Sequence, residues 1–119
     1  MAWNLDKDKP ICPQITERLS MMIARGEFAP DAKLMSVREV ALAAGVNPNT
    51  VQKAFEQLEA KGIIYSVRGS GWYVSADAEN AEREAERIVT DKVGAFFAEM
   101  EALGYDTATT KDYVGRWQA

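Results

Sequence analysis

The segment Ser36–Gly62, SVREVALAAGVNPNTVQKAFEQLEAKG, encodes two short helices with complete start and stop signals on either side of a glycine turn. Ser36 and Glu39 form an S-x-x-E capping box, in which hydroxyl and carboxylate each accept from an orphan backbone N–H, so a helix starts at Val37. Val37, Val40, Ala41 and Ala44 recur at helical spacing, and Gly45 is placed to end the helix in the left-handed conformation that a Cβ resists. Val46 reads as a buried hinge residue. Asn47 is a good N-cap, and Pro48 fits the first helical position, where its missing N–H costs nothing. Val51, Ala54, Phe55 and Leu58 give the second helix an apolar stripe that Lys61 and Gly62 close. Asn49, Thr50, Gln52, Lys53 and Glu56 fall on the other side. Such a unit is a helix-turn-helix: the first helix carries the second as a rigid probe, whose commonest use is insertion into the major groove of DNA.

The flanking segments complete a small domain. Upstream, Gln14–Gly26 reads as an amphipathic helix with Ile15, Leu19, Met22 and Ile23 on one face, started by Pro13 and stopped by Gly26. Downstream, Ile63–Val67 and Trp72–Val74 are β-rich runs separated by Arg68-Gly69-Ser70-Gly71, which reads as a hairpin. Directly after a helix-turn-helix this hairpin is a wing, and Arg68 gives its tip a cation suited to a narrow minor groove. Residues 1–75 are therefore expected to form a winged helix-turn-helix domain, and the fold class is mainly α with a small β-hairpin.

Residues 76–119 read as a helical hairpin tail. The pattern from Ala76 to Leu103 is helical, about 42 Å long at 1.5 Å per residue. Gly104 ends this helix, Asp106 or Thr107 can cap another, and Tyr113 and Trp117 share a face of the last helix at i, i+4. Ile88, Val89, Val93, Phe96, Phe97, Met100, Leu103, Tyr113 and Trp117 supply more apolar surface than so small a hairpin can bury alone. The expected solution is a homodimer in which two tails pack as a four-helix assembly. The alternative is that the stripe packs back on its own winged domain.

From Pro10 to Val74 the chain resembles the DNA-binding domain of the GntR family of bacterial transcription regulators, and its short tail resembles the YtrA-like subfamily. The resemblance rests on the Gln14-Ile15 helix start, Gly26 followed by Pro30, the Ser36-x-Arg38-Glu39 box, Val46-Asn47-Pro48-Asn49-Thr50-Val51, Leu58-Glu59-x-x-Gly62 and Arg68-Gly69-x-Gly71. It implies DNA contacts from Arg38, Asn49, Thr50, Gln52 and Lys53 in the helices and from Arg68, Gly69, Ser70 and Gly71 in the wing. The chemistry agrees: arginine pairs bidentately with guanine, glutamine and asparagine with adenine, and threonine bonds a phosphate or touches a thymine methyl. Departures are local. Pro30-Asp31 stands where many members have Pro-Gly, and Asp31 is expected to favour a type I turn. Met35 stands where many have Pro, and Asn47-Pro48 replaces Ser-Arg, removing one groove-reading arginine.

Composition bounds the remaining classes. The net charge is −4, yet residues 1–75 carry nine Lys+Arg against eight Asp+Glu, while residues 76–119 carry five against ten. The acid lies away from the proposed probe, so few phosphate contacts and a modest salt dependence are expected. An acidic balance also fits a second reading, a winged helix used as a protein–protein interaction module without specific DNA binding. Zero histidines and one cysteine, Cys12, leave no nitrogen or sulfur cluster for a metal, no disulfide and no catalytic base, so no metal, no cofactor and no enzymatic activity are expected. With no signal peptide and no membrane-length apolar run, the expected location is the cytoplasm. The expected partners are a double-stranded operator, a second copy of the chain and no membrane. A small-molecule effector has room only in a cleft of the tail interface, near Phe96, Phe97, Tyr113 and Trp117.

Overall fold

The computed structural model describes residues 3–119. The elements are α1 (Ile11–Ala24), α2 (Val37–Ala44), α3 (Pro48–Ala60), β1 (Ile64–Val67), β2 (Gly71–Val74), α4 (Glu79–Ala102) and α5 (Thr107–Arg116). They divide into two compact units, the first ending at Ala85 and the second covering Glu86–Ala119.

The first unit has one core. Ile15, Leu19, Met22 and Ile23 of α1 meet Val40, Ala41 and Ala44 of α2 and Val51, Ala54, Phe55 and Leu58 of α3, as the helical spacing of each set requires. Ile63, Ile64 and Val74 close it from the hairpin side, and Trp3, Leu34 and Ala81 complete it. β1 and β2 pair antiparallel in the register Ile64↔Val74 to Val67↔Gly71. The start of α4 is tied to the end of α3: the Asn80 amide donates to the Gly62 carbonyl at 3.2 Å, and Lys61 pairs with the nearly buried Glu84.

Several expected boundaries move for local reasons. Helix α1 begins at Ile11, with Pro10 as N-cap and Pro13 inside the first turn. First-turn N–H groups have no helical partner anyway, so Pro13 is tolerated there without marking the start. Helix α4 begins at Glu79 and not at Ala76, because Asp77 Oδ1 accepts from the Glu79 N–H at 2.9 Å and caps it. Gly71 belongs to β2, which leaves a three-residue loop, Arg68–Ser70.

The largest surprise is Asp31, the one non-glycine residue with positive φ (61°) among those described. Ala32 N–H donates to Ala29 O at 3.0 Å, so Pro30 and Asp31 are the central residues of a turn of type II character, not type I. Tertiary bonds enforce it. Asp31 N–H donates to Val74 O at 3.0 Å, Val74 N–H to Ala32 O at 2.9 Å, and the Tyr65 hydroxyl to Asp31 Oδ1 at 2.8 Å. Aspartate, like asparagine, tolerates the left-handed region better than most residues with a Cβ, because its short polar side chain can hydrogen-bond locally.

In the second unit, Gly104 (φ 96°) ends α4, and Asp106 caps α5 by accepting from Thr109 N–H at 2.9 Å. Those bonds hold the Asp106 carboxyl below its ordinary pKa. Thr110 is fully buried, and the Tyr105 and Tyr113 rings meet edge to face at 5.6 Å. Trp117 departs from expectation. The helix ends at Arg116 and Trp117 is its extended C-cap, so Trp117 does not share a helical face with Tyr113.

At Asp31, substitution by alanine removes the acceptor for Tyr65 and places an ordinary Cβ at positive φ. Asp31→Ala is expected to cost about 1 kcal/mol in urea denaturation from the backbone alone, with Asp31→Asn close to wild type. An Asp31→Ala variant as stable as wild type would contradict this turn.

Candidate nucleic-acid interface

The first helix of the probe is fixed by its cap. Ser36 Oγ accepts from Glu39 N–H and Glu39 Oε1 accepts from Ser36 N–H, each at 3.0 Å. The bonds from Ser36, backbone first, hold the Glu39 carboxyl below its ordinary pKa, and the positive charge of Lys33 adds to the effect. Arg38, the second residue of this rigid turn, is exposed. At the other end Gly45 adopts φ 68° in the left-handed region, and Lys7 donates to the Ala44 and Gly45 carbonyls at 3.2 and 3.1 Å. A lysine there satisfies helix-end acceptors and complements the negative end of the helix dipole. Val46 is half-buried, a looser hinge than a core residue.

Asn47 caps α3 by accepting from Asn49 N–H at 2.8 Å. Capping thus falls to Asn47, and the side chains of Asn49 and Thr50 are not consumed by it. Asn49, Gln52 and Lys53 are exposed and Thr50 half-buried, while Val51, Ala54, Phe55 and Leu58 face the core. Cys12 of α1 lies behind this helix. Its thiol is within 3.6 Å of Gln57 Oε1, and burial pushes its pKa up while Lys53 opposes the shift, so it is a packing group and not a ready thiolate.

The wing is braced against α3 at two points. Trp72 meets Phe55 edge to face at 5.6 Å, and Glu59 Oε2 accepts from both the Ser66 N–H (3.2 Å) and hydroxyl (2.8 Å). Arg68, Gly69 and Ser70 at the tip are exposed, and Gly71 is half-buried. The Ser70 and Tyr73 hydroxyls pair, and the Tyr65 and Tyr73 rings stack at 5.7 Å. The structure therefore places Arg38, Asn49, Thr50, Gln52, Lys53 and Arg68–Gly71 within the first unit, on elements that share one core.

Several arginines away from this surface are paired. Arg25, Arg83, Arg87 and Arg116 each hold a carboxylate within 3.3 Å, at Glu27, Glu79, Asp91 and Asp112. Among the described residues, Arg38, Lys53 and Arg68 have no ion pair. An unpaired exposed cation can take a phosphate without first breaking a salt bridge.

Sequence reasoning missed four supporting residues. Gln14 holds the N-terminal segment, its amide donating to Asp6 O at 2.8 Å while its carbonyl accepts from Asp6 N–H at 2.7 Å. Lys7, Glu59 and Lys33 act across 37, 7 and, for the bridge from Lys33 to Tyr73, 40 residues of chain. None of these partners is visible in a local pattern.

Of the expected dimerisation residues, Ile88 is buried within the single chain (4% exposed). Val89, Val93, Phe96, Leu103, Tyr113 and Trp117 are exposed, up to 71% for Leu103 and 74% for Trp117. Phe97 and Met100 are half-buried, and the Phe96 and Phe97 rings meet edge to face at 5.6 Å.

Comparisons agree with this geometry. Residues 13–74 match the family described as bacterial regulatory proteins, gntR family. The HTH-type transcriptional repressor YtrA of Bacillus subtilis is 44% identical over 70 residues, 59% of this chain and 54% of that repressor. A GntR family transcriptional regulator from Listeria monocytogenes superposes with a TM-score of 0.81 at 35% identity, covering 96% of this chain and 100% of that one. The AraR DNA-binding domain in complex with operator ORE1 superposes with a TM-score of 0.54 at 33% identity, covering 60% of this chain and 89% of that one.

The capping box that presents Arg38 gives a pH prediction. A carboxyl whose folded pKa is depressed contributes stability above its unfolded pKa, about 4.3 for glutamate, and loses it as pH falls through the folded value. Glu39→Gln is therefore expected to be less stable than wild type at neutral pH, with the gap narrowing below about pH 4.3. Thermal melts across pH test this, and a gap independent of pH would contradict it.

Proposed function

The chain belongs to the GntR family of bacterial regulatory proteins, and from that premise we propose that it is a homodimeric, sequence-specific DNA-binding repressor of transcription. It is a regulator and not an enzyme. Helix α3 enters the major groove and the wing lies at the adjacent minor groove. Arg38, Asn49, Gln52 and Thr50 read base edges or position the helix, and Lys53 and Arg68–Gly71 meet the backbone and minor groove. The single observation that carries this reading is the unpaired state of Arg38, Lys53 and Arg68 on elements braced against one core. The likeness to an operator-bound domain supports it.

The functional boundary follows the end of the wing, with residues 1–75 as the reader and residues 76–119 as the dimerisation tail. The exposed apolar side chains of α4, α5 and the residues just after each helix form the contact between copies: Val89, Val93, Phe96, Leu103, Tyr113 and Trp117, with the half-buried Phe97 and Met100 beside them. Two α3 helices related by a two-fold axis read half-sites about 34 Å apart or somewhat more, so the operator is an inverted repeat. No described helix is long and apolar enough to cross a membrane, and the site of action is the cytoplasm.

Selection from a random duplex pool is expected to recover an inverted repeat. In fluorescence anisotropy, Arg38→Ala and Gln52→Ala should each lose about tenfold or more of the preference for that repeat over random duplex. Circular dichroism and sedimentation should stay unchanged. Two variants that discriminate normally would refute the contact assignment, and a wild type with no preference would refute the function. Val93→Asp combined with Phe96→Ala is expected to sediment as a monomer and to lose roughly 10²-fold in operator affinity, since the second half-site is no longer tethered.

A further inference from the structure

We propose that Lys33 is a DNA-backbone anchor whose ammonium takes a phosphate in the strip between Arg38 on α2 and the wing. The proposal rests on the DNA-binding reading above and adds a contact that no sequence motif marks.

Three observations carry it. First, Lys33 is bridged antiparallel to Tyr73, so the segment before α2 is held along the free edge of β2. Leu34 N–H donates to Trp72 O at 2.8 Å and Val74 N–H to Ala32 O at 2.9 Å, which fixes the backbone on both sides of Lys33. Second, the Lys33 stem lies over Gly71. A Cβ at Gly71 would come within 3.3 Å of Lys33 Cε, so the missing side chain is what lets the stem lie flat against the wing. The ammonium is thereby held beside Gly71, next to the tip loop of the wing, while Lys33 stays exposed. Third, Lys33 has no ion pair among the described residues, a property it shares in the first unit with Arg38, Lys53 and Arg68.

Neither neighbouring acid forms an ion pair with it among the described residues. The Asp31 carboxylate accepts from the Tyr65 hydroxyl, and the Glu39 carboxylate is turned back onto the Ser36 N–H. The charge of Lys33 also adds to the lowering of the Glu39 pKa, so its field reaches the first turn of α2, which carries Arg38. Lys33 and Arg38 thus stand at the two ends of a short segment that leads from the edge of β2 into the positive end of α2. A lysine here acts as a point charge on the backbone and carries no base preference.

The test uses the full chain and its selected inverted repeat, with affinity measured between about 50 and 200 mM salt. Each neutralised phosphate contributes about 0.9 to the slope of log affinity against log salt. Lys33→Gln should flatten that slope by about 1.8 per dimer and weaken operator and random duplex by the same factor. Lys33→Arg should restore the wild-type slope. Lys33→Met, which keeps the stem over Gly71 without the charge, should reproduce the Gln result. A folded Gln or Met variant with the wild-type slope overturns the proposal, as does a selective loss of operator preference with the slope unchanged. A wild type without salt-sensitive binding would instead bring down the DNA-binding reading itself, and the anchor with it.

Discussion

Helix α3 has to be core and probe at once, and the Phe55 ring is where the two demands meet. The ring is fully buried, flanked along the helix by Val51, Ala54 and Leu58, and met edge-on by Trp72 of the wing. Truncating a ring so placed typically costs about 3–5 kcal/mol, a large share of the stability of a small domain. With one face of α3 committed to that core, the opposite face, with Asn49, Gln52 and Lys53, is left to solvent in a fixed orientation. The same ring positions the wing, because Trp72 can reach it only if β2 lies across the end of the helix. Glu59 then fixes the rotation of the hairpin through Ser66. Groove helix and wing are thus two outputs of one packed cluster.

What the sequence made legible were interactions that close within a few residues. The Ser36–Glu39 box, the left-handed Gly45, the Asn47 cap and the Asp106 cap are all local, and each is present where the pattern placed it. The winged order of elements was readable for the same reason, since each has its own periodicity and punctuation. The departures involve partners that pattern reading did not weigh. Asp31 takes positive φ because Val74 and Tyr65 bond it, and local turn preference cannot compete with three tertiary hydrogen bonds. No pattern singled out Lys33 or Lys7, because their neighbours, Gly71 and the end of α2, are distant in the chain. The proposed contact residues were legible from pattern as a polar face, and one by one only through the family resemblance. Their common state of being unpaired is a property of the fold.

That state also resolves the tension between a net charge of −4 and an anionic partner. Net charge governs the far field, which salt screens beyond about 10 Å, whereas binding depends on which cations stand ready at contact distance. In the tail, Arg87 and Arg116 are bound to Asp91 and Asp112 four residues away along a helix. Such pairs contribute little stability, but they cancel charge locally. In the first unit, Arg38, Lys53 and Arg68 are exempt from pairing, so a nearly neutral domain presents a few bare cations in fixed positions. An arrangement of this kind favours recognition by position over attraction by charge.

Position alone gives one small reader limited discrimination, since each good bidentate contact is worth about 1–3 kcal/mol. Doubling the reader on a fixed two-fold axis multiplies the discrimination without enlarging either surface. The tail has the features this requires. Its apolar side chains, Leu103 and Trp117 above all, are left uncovered at a cost that burial against a copy would recover. Ile88, already inside its own chain, is the exception that marks where the uncovered face begins. Exposed acids run along the whole of α4, Glu79, Glu82 and Glu86 in its first half and Glu99 and Glu101 in its second, while Phe96, Phe97, Met100 and Leu103 occupy only the second half and the turn that follows it. Apolar side chains favour association along that second half. In the proposed dimer, the apolar second half of α4 is therefore the end at which two copies join.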